Sequence, residues 1–152
     1  MFRRTARRAL LTAETSALVA GLGASSALAT TTISVGGSAD LIGKVVAQVP
    51  VTATCGPFDP ALPFSFSTSV TLTQARAKEI AQGSAFVGVN TTGQTVPVVC
   101  DGTPQSFTVT VNANPSGPPF KNGTAVVSAF ASAGAFPTFE QAQAGPQTIR
   151  LR

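Results

Sequence analysis

Apolar and polar residues alternate with a period of two along much of this chain, and the stretch from Thr95 to Asn112 combines that alternation with a turn and a cysteine. The apolar residues on one face of this stretch are Val96, Val98 and Cys100, followed by Phe107, Val109 and Val111. Asp101-Gly102 between the two sets is a turn dipeptide. The stretch therefore predicts two strands joined by a tight turn. The Val, Thr, Phe, Ser, Gly and Pro content of the chain favours strands and turns throughout.

The first 29 residues have the pattern of an export signal. Arginines occupy positions 3, 4, 7 and 8, an Ala/Leu/Val/Gly-rich stretch follows, and Ala27-Leu28-Ala29 is a small-x-small cleavage site before Thr30. A membrane anchor is the alternative, but the apolar stretch is short and is interrupted by polar residues at 14–16. We expect a cleaved signal, no membrane span afterwards, and a protein that is secreted or held in the cell envelope. Arg7-Arg8 leaves open whether the general or the twin-arginine route is used.

The charge of the precursor comes largely from this signal. The whole chain has ten Lys and Arg against six Asp and Glu. Four arginines and Glu14 leave with the signal, so six cations and five anions remain, a net charge of +1. The chain contains neither Trp nor Tyr that could stack on bases. We therefore expect no nucleic-acid partner.

The only two cysteines, Cys55 and Cys100, are expected to form a disulfide, because export exposes them to an oxidising compartment. Two separate buried thiols are the alternative. In the chain-entropy model, closing the loop between these positions stabilises the domain by about 4 kcal/mol.

The mature chain predicts one all-β domain over residues 40–152, preceded by a flexible lead-in at 30–39 that has a short edge strand at 31–35 as its alternative. Strands are expected at 41–47, 48–55, 64–73, 79–89, 96–100, 105–111, 124–133 and 147–152. Residues 74–83 fit either two helical turns or a turn near Arg76 followed by a strand from Glu79 to Val89, and the second is favoured. Asn122-Gly123 predicts a type I′ turn, and the proline-rich stretch 56–63 and residues 134–146 predict long loops.

The segments VTLTQ (70–74), AQGS (81–84), VCDGTPQSFTVTV (99–111) and FKNGTAVVSAFA (120–131), with IRLR at the end, resemble a group of short secreted actinobacterial proteins of uncharacterised function. The resemblance covers about the last two thirds of the mature domain, and its motifs are structural. It implies a single immunoglobulin-like antiparallel β-sandwich of about seven to nine strands with one disulfide. It brings no activity and no site residues.

Two features depart from true immunoglobulin domains. No Trp is present to pack on the disulfide. If the strands are lettered in order, Cys55 ends strand B and Cys100 ends strand D, at the same end of the sandwich. Strand E normally separates B from D, which would hold the two Cα atoms beyond the usual limit of about 7 Å.

Residues with catalytic or metal-binding chemistry are sparse. The chain has no His, and its only Met is Met1, which excludes imidazole-based catalysis and the common His and Met metal sites. The mature acids are scattered over five segments, at Asp40, Asp59, Glu79, Asp101 and Glu140. Asp101 beside Gly102 is interpreted as turn chemistry. We expect no catalytic residue, no metal and no cofactor, so the protein is not expected to be an enzyme.

Phenylalanine is the feature that stands out. Phe64, Phe66, Phe107 and Phe86 fit core positions, whereas Phe58, Phe136 and Phe139 lie in the predicted loops. In an immunoglobulin-like fold these two loops meet at one end, so the three rings would form a contact surface for a partner. The alternative is that they close the end of the core.

These expectations combine into one functional hypothesis. The protein acts outside the cytoplasm as a non-catalytic binding or structural module, with an unknown protein or cell-envelope component as its partner. The alternative is an extracytoplasmic carrier of a small apolar ligand.

Overall fold

The computed structural model describes residues 30–59, 62–89, 94–95 and 98–152. The predicted signal, residues 60–61 of the proline-rich loop, and Val96 lie outside these residues. The described residues form nine strands: β1 (Thr32–Val35), β2 (Ser38–Ile42), β3 (Val46–Thr54), β4 (Phe64–Arg76), β5 (Glu79–Val89), β6 (Gln94–Thr95), β7 (Gln105–Ala113), β8 (Gly123–Ala135) and β9 (Thr138–Leu151). No helix in the described ranges has the length and hydrophobicity that a membrane crossing requires.

Seven of the strands close into a barrel. The order of pairing is β3–β2–β9–β8–β4–β5–β7, and β7 pairs back onto β3. β1 pairs with β3 and β6 with β5, outside this ring. The pairings are antiparallel except for β2 with β9 and β5 with β6. Closure joins the two edges over two residue pairs on each side, which shortens the free edges where unpaired backbone groups would be exposed.

The all-β class and the single disulfide are confirmed. An immunoglobulin-like sandwich has two separate sheets, whereas here the two corresponding groups of strands are hydrogen-bonded to each other on both sides. One group of strands contains β1, β2, β3 and β7, and the other contains β5, β4, β8 and β9. Two pairs, Ser38 with Arg150 and Ala39 with Leu151, connect the groups on one side. The pairs Gly83 with Ala113 and Ser84 with Asn112 connect them on the other.

Inward-facing side chains fill the barrel. The largest fully buried ones are Phe66, Phe120, Leu72, Leu151, Val49, Val51, Val70, Val87, Val109, Val111, Val127 and Thr68. β8 contributes mostly alanines to the interior, which suits a ring this narrow because a seven-stranded barrel has room only for side chains. Phe66 and Phe107 meet edge to face, with ring centroids 6.2 Å apart. Phe64, Phe66 and Phe107 therefore belong to the core, as expected.

The strand boundaries decide between the predicted alternatives at two places in the chain. β4 ends at Arg76 and β5 runs from Glu79 to Val89, so residues 74–83 are two strand ends joined by a turn at Ala77-Lys78 rather than a helix. For residues 30–39, the prediction of a flexible lead-in is wrong and the alternative of a short edge strand is right, since β1 pairs with β3 over four residues. Ile33 and Ala39 are buried in the core, which explains why this segment is part of the folded domain.

Two predicted hairpins are wrong. Val98–Cys100 is not a strand, and β7 pairs with β3 and β5 rather than with the chain before Asp101. β8 pairs with β4 and β9, so Asn122-Gly123 opens β8 at the end of a loop instead of forming a hairpin turn. In both places the turn residues are where the chain changes direction, but turn chemistry does not determine which strands pair.

The loop over residues 114–122 is attached to β4 by the buried carboxamide of Gln74. Its Nε2 donates to the carbonyl of Lys121 at 2.8 Å and to that of Thr124 at 3.3 Å. Its Oε1 accepts from the backbone N–H of Lys121 at 2.8 Å. Only 3% of Gln74 is exposed, so these groups satisfy one another away from water.

We expect Gln74→Leu to lower the free energy of unfolding by about 2 kcal/mol, because the partners of the carboxamide lose their hydrogen bonds. Gln82→Leu, at an exposed position on the neighbouring strand, is the matched control and should leave stability within about 0.5 kcal/mol. Urea unfolding of both variants measures the difference. Equal stability of the two variants would show that the carboxamide is not a structural link.

Candidate functional site

The disulfide joins the end of β3 to the segment before β7. The Cα atoms of Cys55 and Cys100 are 4.6 Å apart. Backbone hydrogen bonds run from Gly102 N to the carbonyl of Cys55 at 2.9 Å and from Phe58 N to the carbonyl of Cys100 at 3.3 Å. The expected separation of the two Cα atoms by an intervening strand does not arise. The residues before Cys100 cross the end of β3 and do not form a strand of the same sheet. We call this region the disulfide end.

Asp101 stabilises the turn beside the disulfide, as its position next to Gly102 predicted. Its Oδ1 accepts from the backbone N–H of Thr103 at 2.9 Å and from the Thr103 hydroxyl at 2.6 Å. These hydrogen bonds, the hydroxyl first, lower the pKa of Asp101 below its ordinary value. Gly102 has a φ of 85°, a conformation that glycine adopts without strain.

The described residues of the stretch 56–63 and the turn between β8 and β9 lie at this same end. Phe64, which begins β4, pairs with Ala135, which ends β8. The predicted loop over 134–146 is wrong, since only Phe136 and Pro137 separate the two strands and Ala135 pairs with Thr138. The residues expected in a long loop are therefore mostly on a strand, where alternation decides the direction of each side chain.

The three phenylalanines predicted to meet have different environments. Phe58 is half-buried against the core and lines a depression of about 370 Å³ together with Leu62, Phe64 and Val99. Phe136, at the turn, is 77% exposed, and Phe139 is 64% exposed. Neither lines that depression. Neither closes the end of the core, because a ring that did so would be buried.

Phe139 belongs instead to the outward surface of the four strands β5, β4, β8 and β9. It pairs with Gly134, and any side chain at Gly134 would overlap the Phe139 ring. Phe86 and Phe130 lie on the same surface in one cross-strand row, with Ser69 of β4 between them. Their exposed fractions are 56% and 40%. The spacing of strands places the two backbones about 10 Å apart.

We call this surface the outer face and define it by five cross-strand rows. The rows are Ser65, Gly134 and Phe139; Gly88, Ser67, Ser132 and Gln141; Phe86, Ser69, Phe130 and Gln143; Ser84, Thr71 and Ser128; and Gln82, Thr73, Val126 and Thr148. No row contains a charged residue. Within the described chain, the hydroxyls of Ser67, Ser69 and Thr71 donate to no protein atom, so they are available to a ligand.

Sequence reasoning missed two of the three rings on this face. Phe86 was expected in the core, but Ala81, Gly83 and Val87 are the inward residues of β5, which turns Phe86 outward. Phe130 follows Ala129 and precedes Ala131, both buried, so the alternation already predicted for β8 implied an outward ring. The signal available in the sequence was an aromatic residue at an outward position of a strand with clear alternation.

Among the described residues, no three His, Cys, Asp or Glu side chains come together as possible ligands. The arrangement of the outer face offers aromatic rings, hydroxyls and amides on rigid strands, which is the chemistry of binding.

We expect Phe120→Ala to lower the free energy of unfolding by about 3–5 kcal/mol, because its fully buried ring closes the end of the core opposite the disulfide. Phe136→Ala is the matched control and should change stability by less than about 1 kcal/mol, given its exposure. Thermal and urea unfolding compare them. A large loss in the Phe136 variant would show that this ring does close the core.

Thr103→Val should raise the pKa of Asp101 toward its ordinary value, because the strongest hydrogen bond to the carboxylate is lost. A depressed pKa means that the turn is stabilised above pH of about 4 and loses this contribution as the pH falls through the folded-state pKa. Carboxyl NMR titration of both proteins gives the two values. An unchanged Asp101 pKa in the variant would contradict this account of the turn.

Comparison with known protein families, curated proteins and solved structures finds no match to this chain. The resemblance to short secreted actinobacterial proteins therefore stays a prediction. The candidate site rests on the geometry of the outer face alone.

Proposed function

We propose that this protein is an exported, non-catalytic binding module that holds a neutral, hydroxyl-rich polymer of the cell envelope on its outer face. The observation that carries the proposal is the uncharged surface on which Phe86, Phe130 and Phe139 are exposed among Ser, Thr and Gln side chains. Aromatic rings with this degree of exposure mark contact surfaces when they share one face.

The chemistry of the face selects a class of ligand. A surface without charge gains nothing from a polyanion or polycation, because charge complementarity is absent. Sugar rings present C–H groups on their faces, which pack on aromatic rings, and hydroxyls around their edges. Ser and Thr hydroxyls and Gln carboxamides both donate and accept hydrogen bonds, as sugar hydroxyls do. A neutral polysaccharide fits this combination.

The strands support binding by holding the rings in place. β4 lies between β5 and β8 over ten or more residue pairs on each side, so Ser69 and its two aromatic neighbours are part of continuous ladders. A surface that is already ordered loses little conformational entropy when a ligand binds. The face is therefore preorganised.

Export is proposed from the signal pattern and is supported by the disulfide. Cys55 and Cys100 are paired, and such pairs persist mainly outside the cytoplasm. This supports a secreted or envelope location, where a neutral polysaccharide would be within reach.

A carrier of a small apolar ligand is the second candidate. The depression lined by Phe58, Leu62, Phe64 and Val99 favours it, since these side chains are apolar and adjoin the disulfide. The barrel interior does not, because fully buried side chains fill it. A carrier would have to hold its ligand at the surface of the disulfide end.

The purified protein should bind insoluble neutral polysaccharides, with cellulose, chitin and starch granules as probes in a sedimentation assay. Phe86→Ser and Phe130→Ser should each weaken binding about tenfold, which corresponds to about 1.4 kcal/mol for an aromatic contact at the centre of a binding surface. Val99→Ser is the control, since Val99 is 58% exposed but lies at the disulfide end.

Three outcomes would contradict the proposal: no binding to any of the three probes, equal weakening by Val99→Ser, or dimers that dissociate when Phe86 or Phe130 is replaced. The last would identify the outer face as an interface between two copies. Binding of the apolar dye Nile red that is lost in Leu62→Ser but not in Phe130→Ser would favour the carrier instead.

A further inference from the structure

Charge is segregated along the barrel. We call the end opposite the disulfide the loop end, and it contains the turn at 43–45, the turn at 77–78 and the loop 114–122. The six cations among the described residues are all at or near it: Lys44, Arg76, Lys78, Lys121, Arg150 and Arg152. Asp40 and Glu79 are the anions in this half, which leaves a net charge of +4. The half with the disulfide has three anions, Asp59, Asp101 and Glu140, and no cation among the described residues.

The net charge of the mature chain therefore conceals a strongly basic surface. A charge of +1 spread evenly would attract no charged partner, whereas +4 at one end creates a local positive potential. Arg152 forms an ion pair with Asp40 at 3.4 Å, and both side chains are about two thirds exposed. Within the described part of the chain, Lys44, Lys78 and Lys121 have no ion-pair partner.

Hydrogen bonds hold the three connections of the loop end together. The backbone N–H of Phe120 donates to the carbonyl of Lys44 at 2.8 Å, which attaches the loop 114–122 to the turn at 43–45. The Arg76 guanidinium donates to the carbonyl of Pro119, which attaches the same loop to the end of β4. The cations are thus presented on a connected surface rather than on independent loops.

Large aliphatic side chains are exposed beside these cations. Ile42 precedes the turn that carries Lys44, Val45 is the last residue of that turn, and they are 51% and 53% exposed. Ile80 follows the turn that carries Lys78 and is 59% exposed. Branched aliphatic residues beside Lys44 and Lys78 make this end a mixed surface, unlike the uncharged outer face.

We propose that the loop end docks on a bilayer surface that bears anionic phosphate headgroups. Lysines near such a surface are attracted to it, each by an amount that changes affinity about fivefold. Aliphatic side chains at the same level enter the boundary between headgroups and acyl chains. A soluble polyanion would use the lysines but would leave Ile42, Val45 and Ile80 exposed, so the bilayer is the partner that fits both kinds of side chain.

This docking does not depend on the polysaccharide proposed for the outer face. The five rows of the outer face end at Gln82 and Thr148, and Ile80 and Arg150 lie in the next row toward the loop end, so the two surfaces adjoin but share no residue. A protein that used both would stand on the membrane with its aromatic side surface directed toward the surrounding polymer.

The test uses the purified protein, with its N-terminus established by mass spectrometry, and sedimentation with two kinds of vesicle. One contains phosphatidylcholine alone and the other an equimolar mixture of phosphatidylcholine and phosphatidylglycerol. Binding is expected only to the second and should weaken as salt rises, because salt screens the lysines. Equal binding to both vesicles, or to neither, would overturn the proposal.

Two sets of variants separate the contributions. Lys44→Asn, Lys78→Gln and Lys121→Gln should each weaken binding about fivefold, and Asn is chosen at position 44 because it tolerates the φ of 66° there. Ile80→Ser should weaken binding several-fold, whereas Val99→Ser, equally exposed at the other end, should not. Circular dichroism confirms that each variant is folded.

The Ile80→Ser result also distinguishes the bilayer from an anionic polymer. If Ile42→Ser and Ile80→Ser bind as the parent does while soluble polyphosphate displaces the protein from vesicles, the loop end recognises phosphate groups on a polymer and the membrane proposal fails. If both serine variants lose binding and retain their fold, the aliphatic residues enter the bilayer as proposed.

Discussion

Two ladders of only two residue pairs each close the ring, β2 with β9 and β5 with β7, and the rest of the structure depends on that closure. A chain built from strands must pair its backbone groups between strands, and an open sheet would leave a row unpaired at each edge. The bridge at Ser38 and Ala39 is reinforced by hydrogen bonds from Arg152 N to Ala39 and from Leu41 N to Arg152. Closure gives every ring strand one inward face and one outward face.

Much of the local structure was predictable because alternation depends only on neighbouring residues. The direction of side chains in β4 and β8, the start of β5 at Glu79 and the turn at Asp101-Gly102 follow from residue patterns within a few positions. Partner choice was not predictable in the same way. β7 pairs with β3, more than fifty residues earlier in the chain, and no local signal distinguishes that partner from the segment just before Asp101.

In the candidate site, too, the features that depend on strand pairing could not be predicted from local patterns. The hypothesis about Phe58, Phe136 and Phe139 assumed that all three lay in loops, yet Phe139 is on β9 and is placed by its pairing with Gly134. The grouping of Phe86, Phe130 and Phe139 depends on registers between three pairs of strands, which a sequence does not display. The charge segregation likewise depends on which turns share an end, since Lys44 and Lys121 are far apart in the chain and backbone hydrogen bonds such as that from Phe120 N to the Lys44 carbonyl bring their segments together.

The two ends of the described domain have a mechanical consequence. Thr31 lies at the disulfide end, where its hydroxyl donates to Glu140, and Arg152 lies at the other end beside Asp40. Tension applied between these residues pulls β1 along β3 and β9 along β8, parallel to the strands. The hydrogen bonds of each ladder then share the load and must break together rather than one at a time. Unfolding under force is governed by the rate of unfolding, so we expect this shear geometry to slow the extension of the barrel.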